Sequence, residues 1–153
     1  MIDFDNQAQT VRGVRIATFR RCFAEICQGE EPWLPLGDMM HQWFGRYTAY
    51  RAELVREPLD LPASMTPEQE RWAVWCAGSV EYLCKRAGLE APAWAMDPAY
   101  TLATPWYYAE VEGEEEEAEL RDETPEAFAW RGIYCESNPY RNKYEKDGMR
   151  KTA

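Results

Sequence analysis

The sequence predicts a mainly α protein: a small single-domain helical bundle over residues 1–153, with one proline- and aromatic-rich irregular segment and at most a short β element. Two observations carry that expectation. Apolar residues recur at three- and four-residue spacing through three stretches, each bounded by capping residues or prolines. And at 153 residues, 46% of them hydrophobic, the chain is long enough for one ordinary core and short for two.

Residues 6–27 read as the first helix, with Val11, Ile16, Phe19, Phe23, Ile26 and Cys27 on one face and Arg12, Arg15, Arg20 and Arg21 on the remainder. Gly29 and Pro32 interrupt it. A second helix is expected from Asp38 as N-cap, its apolar face running through Met39, Met40, Trp43, Phe44, Tyr47 and Leu54 until Pro58 stops it. The third, over 67–87, has the sharpest local signal. Thr66 as N-cap, Pro67 at the first helical position and Gln69 three residues after the cap make a capping box, and Gly88 followed by Leu89 supplies a left-handed terminator.

After Gly88 the prolines at 92, 98 and 105 deny a continuous helix, so extended segments and turns with one short helical turn are expected, anchored by Trp94, Tyr100, Leu102 and Trp106. Thr124 and Pro125 repeat the cap-then-proline signal before a short helix through Phe128 and Trp130. A brief strand-like run at 133–135 and a turn at Asn138 and Pro139 follow.

Charge is distributed unevenly. Residues 110–123 hold nine acids and one Arg, a net of −8 that leaves −2 of the total −10 for the rest of the chain. Such a block of like charge is read as a solvated, flexible loop, and residues 141–153 as a basic tail. Concentrated in one stretch, Glu114, Glu115, Glu116 and Glu117 form an acidic surface whose sharper readings are mimicry of nucleic-acid phosphates or weak cation binding.

Site chemistry is sparse. A single histidine, His41, removes zinc clusters and H-E-x-x-H peptidases, and neither a phosphate-binding P-loop nor a dinucleotide glycine motif is present. Five cysteines, an odd number lying mostly on helical patterns, fit buried thiols in a reducing cytoplasm. Cys22 and Cys27 cannot share a metal from one helix, because a five-residue offset turns them about 140° apart. His41 is expected as a partly buried hydrogen-bonding residue. No catalytic residue, metal or cofactor is assigned. The alternative of a small enzyme rests on Asp38 and Asp97 as carboxylates with Arg131 holding an anion. No apolar run reaches the roughly 20 residues of a membrane span. The basic residues Arg12, Arg15, Arg20, Arg21, Arg141, Lys143, Lys146, Arg150 and Lys151 lack the setting of a recognition helix, so direct nucleic-acid contact is not expected.

Among the rings, Trp72, Trp75, Trp94 and Trp106 are assigned to the core. Trp33, Tyr50, Tyr107 and Tyr108, with Arg131, are the candidate partner-binding residues, since aromatic side chains and Arg concentrate at interface centres.

The order of segments "PWLPLGDMMHQW", "LVREPLDL", "RAGLEAPAW", "TPWYY" and "FAWRGIY" resembles a widespread, little-characterised bacterial family of small proteins over roughly residues 32–138. Members of that family accompany toxin–antitoxin and phage-defence loci, some beside a nucleotidyltransferase-like toxin. The resemblance implies an antitoxin-like protein, and with the cytoplasmic setting read from the cysteines the expectation is a non-enzymatic protein whose partner is another protein, such as a cognate toxin. It carries no catalytic residues across. The polyglutamate run and the basic C-terminal stretch depart from the pattern. An acidic inhibitor of a nucleic-acid enzyme and a small carboxylate enzyme stay open beside it.

Overall fold

A computed structural model describes residues 9–11 and 14–145. The protein is mainly α. Its described residues fall into two compact units, one running up to Glu57 and resuming at Tyr140, the other spanning Pro58–Pro139.

The first unit opens with strands where a helix was expected. β1 (Gln9–Val11) and β2 (Val14–Ile16) pair antiparallel, with Thr10 opposite Arg15. β-branched Val11, Val14 and Ile16 around Gly13 favour an extended chain over a helix, in which Gly costs about 1 kcal/mol relative to Ala. The helix starts later, as α1 (Phe19–Cys27), because the Thr18 hydroxyl caps it by accepting the Arg21 N–H at 3.2 Å. The expected basic face therefore shrinks to Arg20 and Arg21, Arg12 lying outside the described residues.

α2 (Trp33–Met40) begins before Asp38, which sits inside the helix and does not cap it. In place of one long helix, the chain passes into a π-helical turn (His41–Arg46), a 3-10 turn (Thr48–Tyr50) and α3 (Arg51–Val55). Arg51 stabilises the bend, its Nε donating to the Trp43 carbonyl at 2.8 Å while its guanidinium lies over the Trp43 ring. Phe19, Phe23, Leu36, Trp43, Leu54 and Tyr140 are fully buried in this unit. Residues 141–145 are not a tail. Tyr140 packs on Trp33 with ring centroids 5.7 Å apart, and Glu145 is buried with its carboxylate accepting from Asn142 at 2.9 Å. Lys146, Arg150 and Lys151 lie outside the described residues.

The second unit is built on α4 (Pro67–Arg86), which buries nearly its whole circumference from Trp72 to Val80. Its ends match the expectation. Thr66 and Gln69 exchange side chain and backbone hydrogen bonds of 3.1 and 2.9 Å. At the other end Gly88 takes φ +73°, and the Leu89 N–H reaches the Cys84 carbonyl at 2.8 Å. The irregular segment holds one 3-10 turn at Ala93–Met96. Its extended part, β3 (Trp106–Tyr107), pairs in parallel with β4 (Ile133–Tyr134), Tyr107 opposite Tyr134. Gly132 leads into β4 at φ +89°, where a Cβ would lie 3.2 Å from the Leu102 carbonyl oxygen.

The acidic stretch is a helix, α5 (Gly113–Glu123), and not a loop. Glu114, Glu115 and Glu116 lie in the first turn, where the helix dipole favours negative charge, and the Glu116 carboxylate accepts the Glu112 N–H at 2.6 Å. Leu120 is buried and anchors the last turns. Thr124 does not cap α6 (Glu126–Ala129). Its hydroxyl donates to the Leu120 carbonyl at 2.6 Å and accepts the Cys135 N–H at 3.0 Å, tying α5 to the end of β4.

Candidate functional site

The period-two alternation of an extended chain sends three consecutive rings to opposite sides of β3. Trp106 and Tyr108 face α4. Trp106 stacks edge-on against Trp72 at 5.3 Å, and Tyr108 lies 4.8 Å from Trp75. Tyr107 faces the other way, 5.1 Å from Tyr134, and its hydroxyl accepts from Arg121 of α5. Hydrogen bonds of 2.8 Å from the Trp106 and Tyr108 N–H groups to the Gly132 and Tyr134 carbonyls fix the ladder. All three rings are half-buried, so each presents part of its surface. Trp94 and Trp106, placed in the core on sequence grounds, are likewise only half-buried, whereas Trp72 and Trp75 are buried as expected.

Cations and anions border the rings. Arg71 lies over Trp106 at 5.8 Å. The Tyr107 hydroxyl, by accepting its hydrogen bond, raises the pKa of the exposed Arg121, with Glu117 adding to the effect. Glu114, Glu115 and Glu116 are exposed on the same helix, with Glu117 half-buried. The second unit thus holds Tyr107 and Tyr108 facing opposite ways, and the helix that carries the four glutamates meets Tyr107 through Arg121. Trp33 and Tyr50 are not part of that group. They belong to the first unit, where Trp33 packs on Tyr140 and Tyr50 edges onto Tyr47 at 6.3 Å.

Arg131 is not a surface residue. It is fully buried, and its guanidinium donates to the Ala127, Tyr100 and Ala95 carbonyls at 2.9, 3.3 and 2.7 Å and to Glu81 at 2.9 Å. Burial lowers its pKa and the Glu81 carboxylate opposes the shift. Glu81 also accepts from the Trp130 indole at 2.9 Å, and the guanidinium lies 4.2 Å from the Trp130 ring. Arg131 fastens α4, α6 and the irregular segment together. With Arg131 so engaged, it holds no anion for Asp97, which is exposed and accepts the Ala99 N–H. Asp38 lies in the other unit.

The first unit holds a cleft of about 490 Å³ between α1 and the α2–π-turn segment. Arg21 and Glu25 contribute one wall, and Asp38, His41, Gln42 and Arg46 the other. His41, expected partly buried, is exposed, and its Nδ1 is 2.7 Å from the Tyr144 hydroxyl. Burial raises the Glu25 carboxyl pKa, Arg21 opposes the shift at 3.8 Å, and Asp38 adds to it. Sequence reasoning missed Glu25, Gln42 and Arg46. The available signal was Gln42, a polar residue inside the apolar run from Met39 to Phe44.

The five cysteines are free thiols, all at least half-buried. Among the described residues no group of three or more His, Cys, Asp or Glu could hold a metal ion, and no helix is long and apolar enough to cross a membrane. No family model, no curated protein and no solved structure matches this chain.

Proposed function

We propose that this protein is a non-enzymatic binding or regulatory protein, the antitoxin-like component of a bacterial or phage defence operon, acting in the cytoplasm by covering the active surface of a partner protein. The observation that carries this reading is the half-exposed ladder Trp106, Tyr107 and Tyr108 beside an ordered acidic helix. Rings held rigidly on a strand lose little entropy on binding, which suits them to the centre of an interface. Glutamates beside them supply a charged rim, and a partner with an apolar pocket rimmed by Lys and Arg is complementary to both. A toxin that handles nucleic acid has such a basic surface. Five free thiols support a reducing compartment.

A second reading, the acidic inhibitor that imitates nucleic-acid phosphates, gains from the helical order of 113–123. Residues three and four apart on a helix are about 5–6 Å neighbours, so Glu115, Glu119 and Asp122 form a regular stripe of carboxylates.

Affinity capture from the native host separates these readings. Baits are the wild type, Tyr107→Ser, and a variant with Glu114, Glu115, Glu116 and Glu117 all replaced by Ser. Ring-centred binding predicts one stoichiometric partner that survives moderate salt, persists with the Ser variant and is lost with Tyr107→Ser. Phosphate mimicry predicts the reverse sensitivity, with capture falling steeply as salt rises. Absence of a partner on every bait would remove the binding-protein reading and favour a search for a substrate.

A further inference from the structure

The cleft of the first unit is independent of the aromatic ladder, and its lining specifies a different kind of ligand. At about 490 Å³ it falls in the size range of small-molecule sites. Two cations, Arg21 and Arg46, and two carboxylates, Glu25 and Asp38, line it, so neither sign prevails. A simple anion would meet the carboxylates, and a simple cation the guanidinium groups.

Gln42 adds a directional requirement. Its side chain is nine-tenths buried at the cleft wall, and its Oε1 accepts the Ala17 N–H at 2.9 Å, which fixes the amide's orientation. The Nε2 group carries two N–H donors. Among the described residues its acceptor is the Met39 thioether at 3.6 Å, a weak one, so at least one buried donor remains for an oxygen. The carboxylates have the opposite need. Glu25 reaches in from α1 and Asp38 from α2, and the Asp38 charge adds to the burial that disfavours ionisation of Glu25; a ligand ammonium or guanidinium between them would offset it.

We propose that this cleft binds a small zwitterion of amino-acid size, its cationic group taken by Glu25 and Asp38 and its carboxylate by the Gln42 amide with Arg46. The geometry leaves the other candidate classes worse placed. A phosphate-rich nucleotide finds only two Arg and no glycine-rich loop, and an apolar ligand would bury four charged side chains.

The test is a titration of the full-length protein with each common L-amino acid singly, followed by the NMR resonances of the Gln42 side-chain amide. Agmatine, which keeps the guanidinium of arginine without its carboxylate, and propionate, which has only the carboxylate, are the controls. The expected result is a saturable shift with at least one amino acid at millimolar concentration or below, and about tenfold weaker binding of agmatine and propionate, the loss of one charge-assisted contact. Glu25→Gln should weaken the amino acid by a similar factor, read from other cleft resonances. Because Gln42→Met also removes the acceptor for Ala17 and can unsettle the fold, Glu25→Gln on the cleft rim is the deciding variant. Absence of a saturable shift with any amino acid, equal binding of agmatine, or undiminished affinity in a folded Glu25→Gln protein would each overturn the proposal.

Discussion

At the scale of the residue, Arg131 decides more than any other side chain described. Replacing it with Met leaves Glu81 facing the Trp130 indole without its cation and leaves three buried carbonyls short of a donor. We expect a loss of about 3–5 kcal/mol in denaturant unfolding, the range for breaking a buried pair from one side. Removing the carboxylate as well, in Arg131→Met/Glu81→Leu, should recover only part of that, because the Ala127, Tyr100 and Ala95 carbonyls stay unserved. An Arg131→Met protein as stable as wild type would refute the assignment. Two thiols give a pH prediction. Burial raises Cys84 from the ordinary 9.0 to about 11, and burial, with Glu136 and Glu123 adding, raises Cys135 to about 12. Both are neutral in the folded state where the unfolded chain has begun to ionise. Their contribution is therefore complete below pH 9.0 and is lost as pH rises toward about 11 and 12, with Tyr100, also raised by burial, acting in the same direction. Denaturation midpoints should fall across that window, and less steeply in Cys135→Ala; an unchanged slope would show that the thiol does not contribute. None of this was legible for Arg131, since a basic residue beside a Trp reads equally as a surface anchor or a buried clamp until its carbonyl partners are known.

At the scale of the element, close packing separates two glycines that look alike in sequence. A Cβ on Gly78 would lie 2.9 Å from the Phe128 ring and 3.3 Å from the Ala127 carbonyl oxygen, where α6 crosses α4, whereas a Cβ on Gly37 meets nothing within 4 Å. Gly37→Ala should therefore stabilise the protein by roughly 0.5–1 kcal/mol through helix propensity. Gly78→Ala should destabilise it by about 1–3 kcal/mol, because overpacking outweighs the same gain. Equal effects in paired denaturation curves would contradict the packing described. The elements legible in sequence were those whose signals are local. The capping box and the Gly88 terminator of α4 involve contacts within six residues, and the chain alone specifies them. The hairpin before α1 and the helix of 113–123 were misread for the same reason in opposite directions. Helical spacing from Val11 to Cys27 ran across Gly13, and the charge of the glutamates hid the buried Leu120 and the favourable placement of acids at a helix start. The candidate sites lie further from sequence, since β3 meets β4 across some 25 residues and the cleft joins two helices by way of an amide.

At the scale of the whole molecule, the first unit is discontinuous in the chain. Tyr140 is fully buried on the Trp33 side of its core, and Glu145 is buried close behind, so the unit's own sequence from β1 to α3 lacks part of its interior. Truncation after Pro139 should strip hydrogen-exchange protection from α1 and α2 while leaving α4 protected, because α4 belongs to the unit of residues 58–139 and Tyr140 and Glu145 to the other. Retained protection in α1 would show that Tyr140 is dispensable. The same arrangement bears on how the protein is made. At about 5–20 residues per second, a ribosome needs several seconds to pass from Glu57 to Tyr140. Throughout that interval Phe23, Leu36 and Trp43 wait for a side chain not yet translated, a nascent segment suited to chaperones and open to proteases.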